Sequence, residues 1–465
     1  MEQLKDFIDQ EYLDRLIKEN RKPSRNEVLE VLKKGEEKKG LSVEDVYVLL
    51  QNDDEELKEK MFSLALKIKE DIYGNRLVIF APLYVTNVCG NICAYCGFRA
   101  DNKDLNRRTL TIDEIKEEVK ILEDEGHKRI LMVYGEHPQF KADWIKDTIL
   151  AAYSVKSKNG EIRRINVNVA PMDVEDFKIL KSSGIGTYQC FQETYHRKTY
   201  EKVHLGGKKR DYLYRLYALD RAQEAGIDDV AMGVLFGLYD YRFEVMALIQ
   251  HAEHLEKVFG VGPHTISFPR IEPALGAPLS EHPPVEITND DFKKIVAILR
   301  IAVPYTGLIL STRETADFRR ELFQLGVSQI SAGSRTYPGA YHDALCNKPD
   351  MQQFTIGDTR SLDEVIQDIA SHGYIPSFCT SCYRSGRTGA HFMNEAKGGH
   401  IHTFCQPNAL LTFIEYLEDY ASEKTKEIGY KLVENEISKM EDSPLRKKFL
   451  EKVKKTKDGK RDLYF

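Results

Sequence analysis

Residues 77–99 read LVIFAPLYVTNVCGNICAYCGFR. The stretch opens apolar, β-branched and aromatic, the composition of a buried strand. Three cysteines follow at once, Cys89, Cys93 and Cys96, spaced C-x3-C-x2-C. A strand therefore delivers three thiols to its own C-terminal end. Working outward, runs of the same kind recur: RILMVYGE (129–136), RINVNVAP (164–171), TYQCFQET (187–194), VAMGVLFGL (230–238), TISFPR (265–270), GLILSTRE (307–314) and SQISAGS (328–334). Most are separated by segments of helical period, such as IDEIKEEVKILEDEG (112–126), VEDFKILKSSG (174–184) and DYLYRLYALDRAQEAG (211–226). Gly126, Gly184 and Gly226 close these segments, where a left-handed C-cap is expected. Strand-then-helix units of this kind predict an α/β chain folded as a (β/α)8 TIM-type barrel. Polar residues gather at the C-terminal ends of the runs, namely Glu136, Asn168, Glu193, Arg270 and Arg313. In this architecture that end carries the active site.

Three regions are expected: a helical N-terminal region over 1–72, the barrel over 73–340, and a helical cluster-binding region over 341–465. The first rests on RNEVLEVLKKGEEKKG (25–40) and DEELKEKMFSLALKIKEDIYG (54–74), and the last on a charged helical tail from Leu410. With 465 residues, 42% hydrophobic, the chain can bury a large core. A net charge of -6 gives no electrostatic case for nucleic acid, and Lys452, Lys454 and Lys455 read as a solvated helix face. No apolar run approaches a membrane span. The N-terminal MEQLKDFIDQEYLDRL is charged and amphipathic without an apolar signal core, which predicts a cytoplasmic location.

Six of the eight cysteines fall in two groups. The second is Cys379 and Cys382 in FCTSCYRSGRTG (378–389), with Cys405 in HTFCQPNAL (402–410). Three thiolates hold three irons of a cubane and leave the fourth open, so two triads point to two clusters and away from a disulfide scaffold. Zinc is the alternative, since thiolates suit both. A structural zinc site closes with four ligands, and the nearest histidine downstream of the first triad is His127. Cys190, inside a predicted strand, reads as a small buried hydrophobe, and Cys346 lies in a polar loop.

The C-x3-C-x2-C run after a first barrel strand, with the aromatic Tyr95 before its third cysteine, resembles the radical S-adenosylmethionine (SAM) superfamily. The resemblance implies a 4Fe-4S cluster on Cys89, Cys93 and Cys96 whose open iron chelates S-adenosylmethionine. It also implies a 5′-deoxyadenosyl radical that abstracts hydrogen from substrate. Gly135 and Glu136, ending the second run, match the segment that contacts the methionine amino group. Asn168 and Glu193 are further cofactor-binding candidates, and a buried ion pair is the plainer reading of Glu193.

Nearly the whole chain is similar to the aromatic amino-acid lyases within that superfamily. The similar segments include IYGNRLVIFAPLYVTN (72–87), GIGTYQCFQETYH (184–196), FGVGPHTISFPR (259–270), AVPYTGLILSTRE (302–314) and KRDLYF (460–465). The family holds the HydG-type tyrosine lyases of FeFe-hydrogenase maturation, the 2-iminoacetate synthases of thiamine synthesis and the tryptophan lyases. The HydG-type resemblance implies an auxiliary iron–sulfur cluster on Cys379, Cys382 and Cys405, with an extra iron on His264. Arg313 matches the arginine that clamps the substrate carboxylate, a task suited to its bidentate fork. The implied partners are L-tyrosine, an electron donor such as flavodoxin or ferredoxin, and hydrogenase maturation proteins. L-Tyrosine would give p-cresol and dehydroglycine, then carbon monoxide and cyanide.

Several segments depart from the HydG pattern. VYGEHP (133–138) and NVAPMDVEDF (168–177) lean toward the sister lyases, and Glu272 in PRIEPALGAPLS (269–280) stands where an arginine is usual. A tryptophan lyase and a 2-iminoacetate synthase therefore stay open as alternatives. So do a cluster carrier without catalysis, which would not cleave S-adenosylmethionine, and a colourless zinc protein.

Overall fold

The computed structural model describes residues 4–157, 160–346, 352–397 and 401–465. Eleven strands are numbered in chain order: β1 Arg76–Thr86, β2 Ile92–Cys93, β3 Arg129–Tyr134, β4 Arg164–Asn168, β5 Thr187–Gln189, β6 His204–Gly206, β7 Asp229–Gly233, β8 Thr265–Ser267, β9 Gly307–Leu310, β10 Gln329–Ser331 and β11 Ile375–Ser377. Eight of them pair in parallel in the order β1-β3-β4-β5-β7-β8-β9-β10, and β10 closes on β1. This is the predicted (β/α)8 barrel, and each predicted run overlaps one of its strands. Gly126, Gly184 and Gly226 have φ of 105°, 78° and 85°, and they end the helices Ile112–Asp124, Val174–Lys181 and Ala218–Glu224 ahead of β3, β5 and β7.

β1 is the longest strand because it pairs at two levels. Its upper part pairs with β3 (Ala81↔Ile130, Leu83↔Met132) and its lower part with β11 (Arg76↔Ile375, Val78↔Ser377). Val78 also pairs with Gln329 of β10, so β11 takes the β3-side edge of β1, below the start of β3. Side chains alternate along a strand. Arg76, Val78, Phe80, Pro82 and Tyr84 therefore share one face, which lines the barrel interior from bottom to top.

Two helical layers wrap the barrel. The helices Gln10–Glu19, Arg25–Glu36, Val43–Leu50 and Glu55–Tyr73 dock on the outer helices Tyr241–Phe259 and Asn289–Ala302. Lys294 reaches across to donate to the carbonyls of Leu50 and Asn52. After the barrel, the helices Ile401–Asp419, Glu423–Lys439 and Pro444–Lys457 stack together against β11. The sequence places the start of this tail at Leu410, whereas the helix begins at Ile401, ahead of Cys405. Cys190 is buried but lies one residue beyond β5, its amide donating to the Ala231 carbonyl. Cys346 is exposed and caps the helix Ala340–Leu345.

Candidate active site

At the C-terminal mouth of the barrel, β1 runs into the cysteine loop. β2 within that loop pairs antiparallel with β6, placing Cys93 beside His204. Arg107 pins the loop by donating to the carbonyls of Asn87 and Phe98, and Asn102 donates to that of Gly97. Cys89, Cys93 and Cys96 face one cavity of about 260 Å³. Burial pushes the Cys93 thiol up to about 12 and raises Cys96 as well. Both are thus neutral until a metal displaces the proton. Gly135, just after β3, sits so close beneath the loop that a Cβ would fall 2.3 Å from the Val88 carbonyl oxygen.

A chain of polar contacts rings this mouth. The Asn91 amide donates to Glu136 at 2.7 Å, and its oxygen accepts from the Lys209 amide at 2.9 Å. The Lys209 ammonium donates to Glu193 at 2.7 Å. Glu193 has φ of 71°, a left-handed conformation that costs a non-glycine residue about 1–2 kcal/mol. Strain of this kind persists where the surroundings fix it, and here the ion pair and a backbone bond to Leu235 do so. Glu193 thus lines the cavity and is half of a largely buried ion pair with Lys209.

Tyr95 donates its hydroxyl to His204 Nε2 at 2.8 Å. The direction follows from His204 Nδ1, which gives its proton to the Tyr200 carbonyl. Burial, then Lys209, hold this imidazole neutral, down to about 2. Tyr95 accordingly presents its ring, not its hydroxyl, to the cavity. Asn168, at the end of β4, lines the same wall. The Arg313 guanidinium lies 3.4 Å over the Phe354 ring and, among the described residues, makes one long bond, to the Arg270 carbonyl at 3.3 Å. Arg270 itself is spent on Glu314, on the Ile287 carbonyl and on the face of Phe292.

The opposite, N-terminal mouth holds the second triad. Cys379, Cys382, Cys405 and His264 line a cavity of about 60 Å³ together with Arg76, Arg129, Asp229 and Tyr383. β11 explains the convergence: it ends against the lower part of β1, and Arg129 at the start of β3 donates to the Cys379 carbonyl at 2.9 Å. His264 directs Nδ1 at Asp229, 3.5 Å away, and Nε2 at the Tyr383 hydroxyl, 3.3 Å away. A carboxylate behind the imidazole is the arrangement metal-binding histidines use. Burial lowers the proton affinity of His264 and raises that of Cys379. The Nε atoms of Arg76, Arg129 and Arg387, which line this pocket, are buried without an acceptor among the described residues. A pocket with this surplus of cationic donors and three thiols suits an anionic thiolate-bound centre.

Among the described residues, no three His, Cys, Asp or Glu side chains converge tightly enough for a single ion.

Comparison with known proteins agrees with this geometry. The family model described as Radical SAM superfamily matches residues 83–252, and the Biotin and Thiamin Synthesis associated domain matches 267–375. The 2-iminoacetate synthase of Salmonella typhimurium is 31% identical over 341 residues, 72% of this chain and 86% of that one. The crystal structure of HydG, a maturase of the FeFe-hydrogenase, superposes with a TM-score of 0.95 at 50% identity, over 99% of this chain and 100% of that one. The chain belongs to the radical SAM aromatic amino-acid lyases. HydG from Carboxydothermus hydrogenoformans is also similar, at 41% identity and a TM-score of 0.83, over 98% and 100% of the two chains. A radical SAM domain implies a 4Fe-4S cluster and S-adenosylmethionine, and the cysteine loop supplies the donor set for that cluster. No described helix is long and apolar enough to cross a membrane.

The structure gathers every site residue expected from the sequence into one of the two mouths. It also adds residues the sequence reading passed over. Lys209 and Arg215 face the upper cavity, and Arg76, Arg129, Asp229 and Tyr383 the lower. Lys209 carried a faint signal as the middle of KKR (208–210), where it alone turns inward while Lys208 and Arg210 stay exposed.

Proposed function

We propose that this radical SAM lyase cleaves L-tyrosine between Cα and Cβ, giving p-cresol and dehydroglycine. Dehydroglycine is then broken at the lower mouth to carbon monoxide and cyanide for FeFe-hydrogenase maturation. The observation that carries the reading is the second thiol triad, facing His264 at the far end of the same barrel. Likeness to HydG over 99% of the chain supports it.

Cys89, Cys93 and Cys96 hold the first cluster, and Tyr95, Gly135, Glu136, Asn168 and Glu193 shape the S-adenosylmethionine site. Together these cofactors supply one-electron reductive cleavage and a hydrogen-abstracting radical. Arg313 binds the substrate carboxylate through its fork, which fixes the amino group within the cavity. Phe80, Leu131, Phe268 and Phe292 line the interior and keep water from the reacting centre. Cys379, Cys382, Cys405 and His264 hold an auxiliary cluster with its extra iron. Residues 1–72 brace the barrel of 73–340, and 341–465 bring the second triad to it. A flavodoxin or ferredoxin in the cytoplasm delivers the electron, and other maturases take the product.

The test is anaerobic turnover of the reconstituted, reduced protein with S-adenosylmethionine and either tyrosine or tryptophan. Products are read by mass spectrometry, and carbon monoxide by trapping on deoxyhaemoglobin. p-Cresol with carbon monoxide is expected. p-Cresol and glyoxylate without carbon monoxide would move the chain to the 2-iminoacetate synthases, the reading favoured by its 31% identity to the Salmonella enzyme. An indolic acid from tryptophan would move it to the tryptophan lyases, as the departures at 133–138 and Glu272 would then indicate.

A further inference from the structure

Four carboxylates line the upper cavity among the described residues: Glu136, Glu193, Glu272 and Glu314. Three are committed, Glu136 to Asn91, Glu193 to Lys209 and Glu314 to Arg270. Glu272 is half-buried on the loop after β8, where no hydrogen bond or ion pair to a described residue engages it. Arg313 lines the same cavity, and among the described residues no salt bridge joins the two. The loop carrying Glu272 is fixed, since Thr355 donates its amide to the Pro273 carbonyl at 2.9 Å next to Phe354, on which Arg313 stacks.

Opposite charges held apart in one cavity leave each with unused hydrogen-bonding capacity, and a zwitterion satisfies both. We propose that Glu272 receives the α-ammonium group of the amino-acid substrate whose carboxylate Arg313 holds. This rests on the lyase reading above and makes Glu272 the residue that selects amino acids over des-amino aromatic acids. Burial, then the neighbouring Glu314, raises the proton affinity of Glu272, so its carboxylate gains from an incoming cation.

The experiment is equilibrium binding to the cluster-loaded protein with S-adenosylmethionine present. The probes are L-tyrosine, L-tryptophan and 3-(4-hydroxyphenyl)propanoate, which lacks only the ammonium group of tyrosine. Wild type should prefer the amino acid. Glu272→Gln should weaken it about 10- to 100-fold and leave the des-amino acid within about twofold, so that discrimination collapses. Glu272→Asp, which keeps the charge, should restore part of the preference. Arg313→Lys should weaken both ligands. Unchanged amino-acid binding by Glu272→Gln would overturn the proposal. So would equal loss of both ligands, which marks a merely structural role. If tryptophan alone binds and is discriminated in this way, the tyrosine reading fails and the role of Glu272 stands. If neither amino acid binds wild type, both fail.

Discussion

The two mouths of the barrel are built from the same strands and solve opposite problems. At the upper mouth the thiols come from one contiguous loop, and the polar side chains around them are mostly paired with one another. Asn91 links Glu136 to the Lys209 backbone, and Lys209 holds Glu193. At the lower mouth the thiols come from two segments brought in by β11 and the helix Ile401–Asp419. There the Nε atoms of Arg76, Arg129 and Arg387 have no hydrogen-bond partner among the described residues, and His264 Nδ1 has only its long 3.5 Å approach to Asp229. Each buried unpaired polar group costs about 1–3 kcal/mol. The upper mouth is thus shaped largely by the protein itself, with Glu272 and Arg313 left open, whereas the lower mouth leaves more of its polar groups to what it binds. Preorganisation of the first kind suits a reaction centre, and the second kind suits a site that captures an anionic, metal-bound product.

The sharpest way to break this division is to remove one thiol at each end. Cys93→Ser should abolish S-adenosylmethionine cleavage and every later product. Cys382→Ser should keep deoxyadenosine and p-cresol formation while losing carbon monoxide, and iron content should fall by about half in either case. Deoxyadenosine yield, p-cresol, trapped carbon monoxide and iron per chain are read on the same samples. Loss of S-adenosylmethionine cleavage in Cys382→Ser would show that the mouths are not separable. Next in size is Arg313→Lys, which loses the bidentate fork. It should lower kcat/KM for the amino acid about 100-fold with iron content unchanged.

How far the sequence reveals each mouth follows the same division. The barrel strands are legible because each is a short apolar run ahead of a helical segment, three of which end in a left-handed glycine. β11 is not: it is the three residues Ile375–Ser377, and Pro376 at its centre argues against a strand. It survives because it adds to an exposed lower edge of β1. The upper site is written in contiguous motifs, and its main omission, Lys209, hides in a run of surface-like cations. The lower cysteines are legible as a triad from their number and spacing, His264 is implied only by the family resemblance, and the arginines give no signal. Arg76 and Arg129 begin strands, where a charge reads as a solvated end. Only the inward register that they share with Phe80 and Leu131 turns them into the barrel.

Lys209→Met tests the self-sufficiency of the upper mouth more gently. It releases Glu193 from its ion pair and leaves a strained residue unsupported. KM for S-adenosylmethionine should rise about tenfold, while the ratio of carbon monoxide to p-cresol stays constant, because the lower mouth is untouched. A falling ratio would mean that the upper ring also governs the lower site.

The smallest expected effect concerns the support beneath that ring. Glu244, fully buried on the helix Tyr241–Phe259, accepts from the Thr194 hydroxyl and from the Tyr195 amide at 2.9 Å, holding the segment just after Glu193. Burial pushes its carboxyl up to about 8. The unfolded chain releases this proton near pH 4.5, so between about pH 4.5 and 8 the folded state holds more protons than the unfolded one. Stability from this group is complete below that window and lost as pH rises through about 8, by about 2–4 kcal/mol in all. Glu244→Gln carries no proton to lose. Its amide also forfeits one acceptor, a roughly constant offset of about 1 kcal/mol. The diagnostic quantity is therefore the slope: Tm of wild type minus Tm of Glu244→Gln should fall steadily from pH 5 to pH 8.5 by thermal unfolding. A flat difference would mean that Glu244 is ionised in the folded protein, and that the upper mouth carries an uncompensated buried charge like those of the lower.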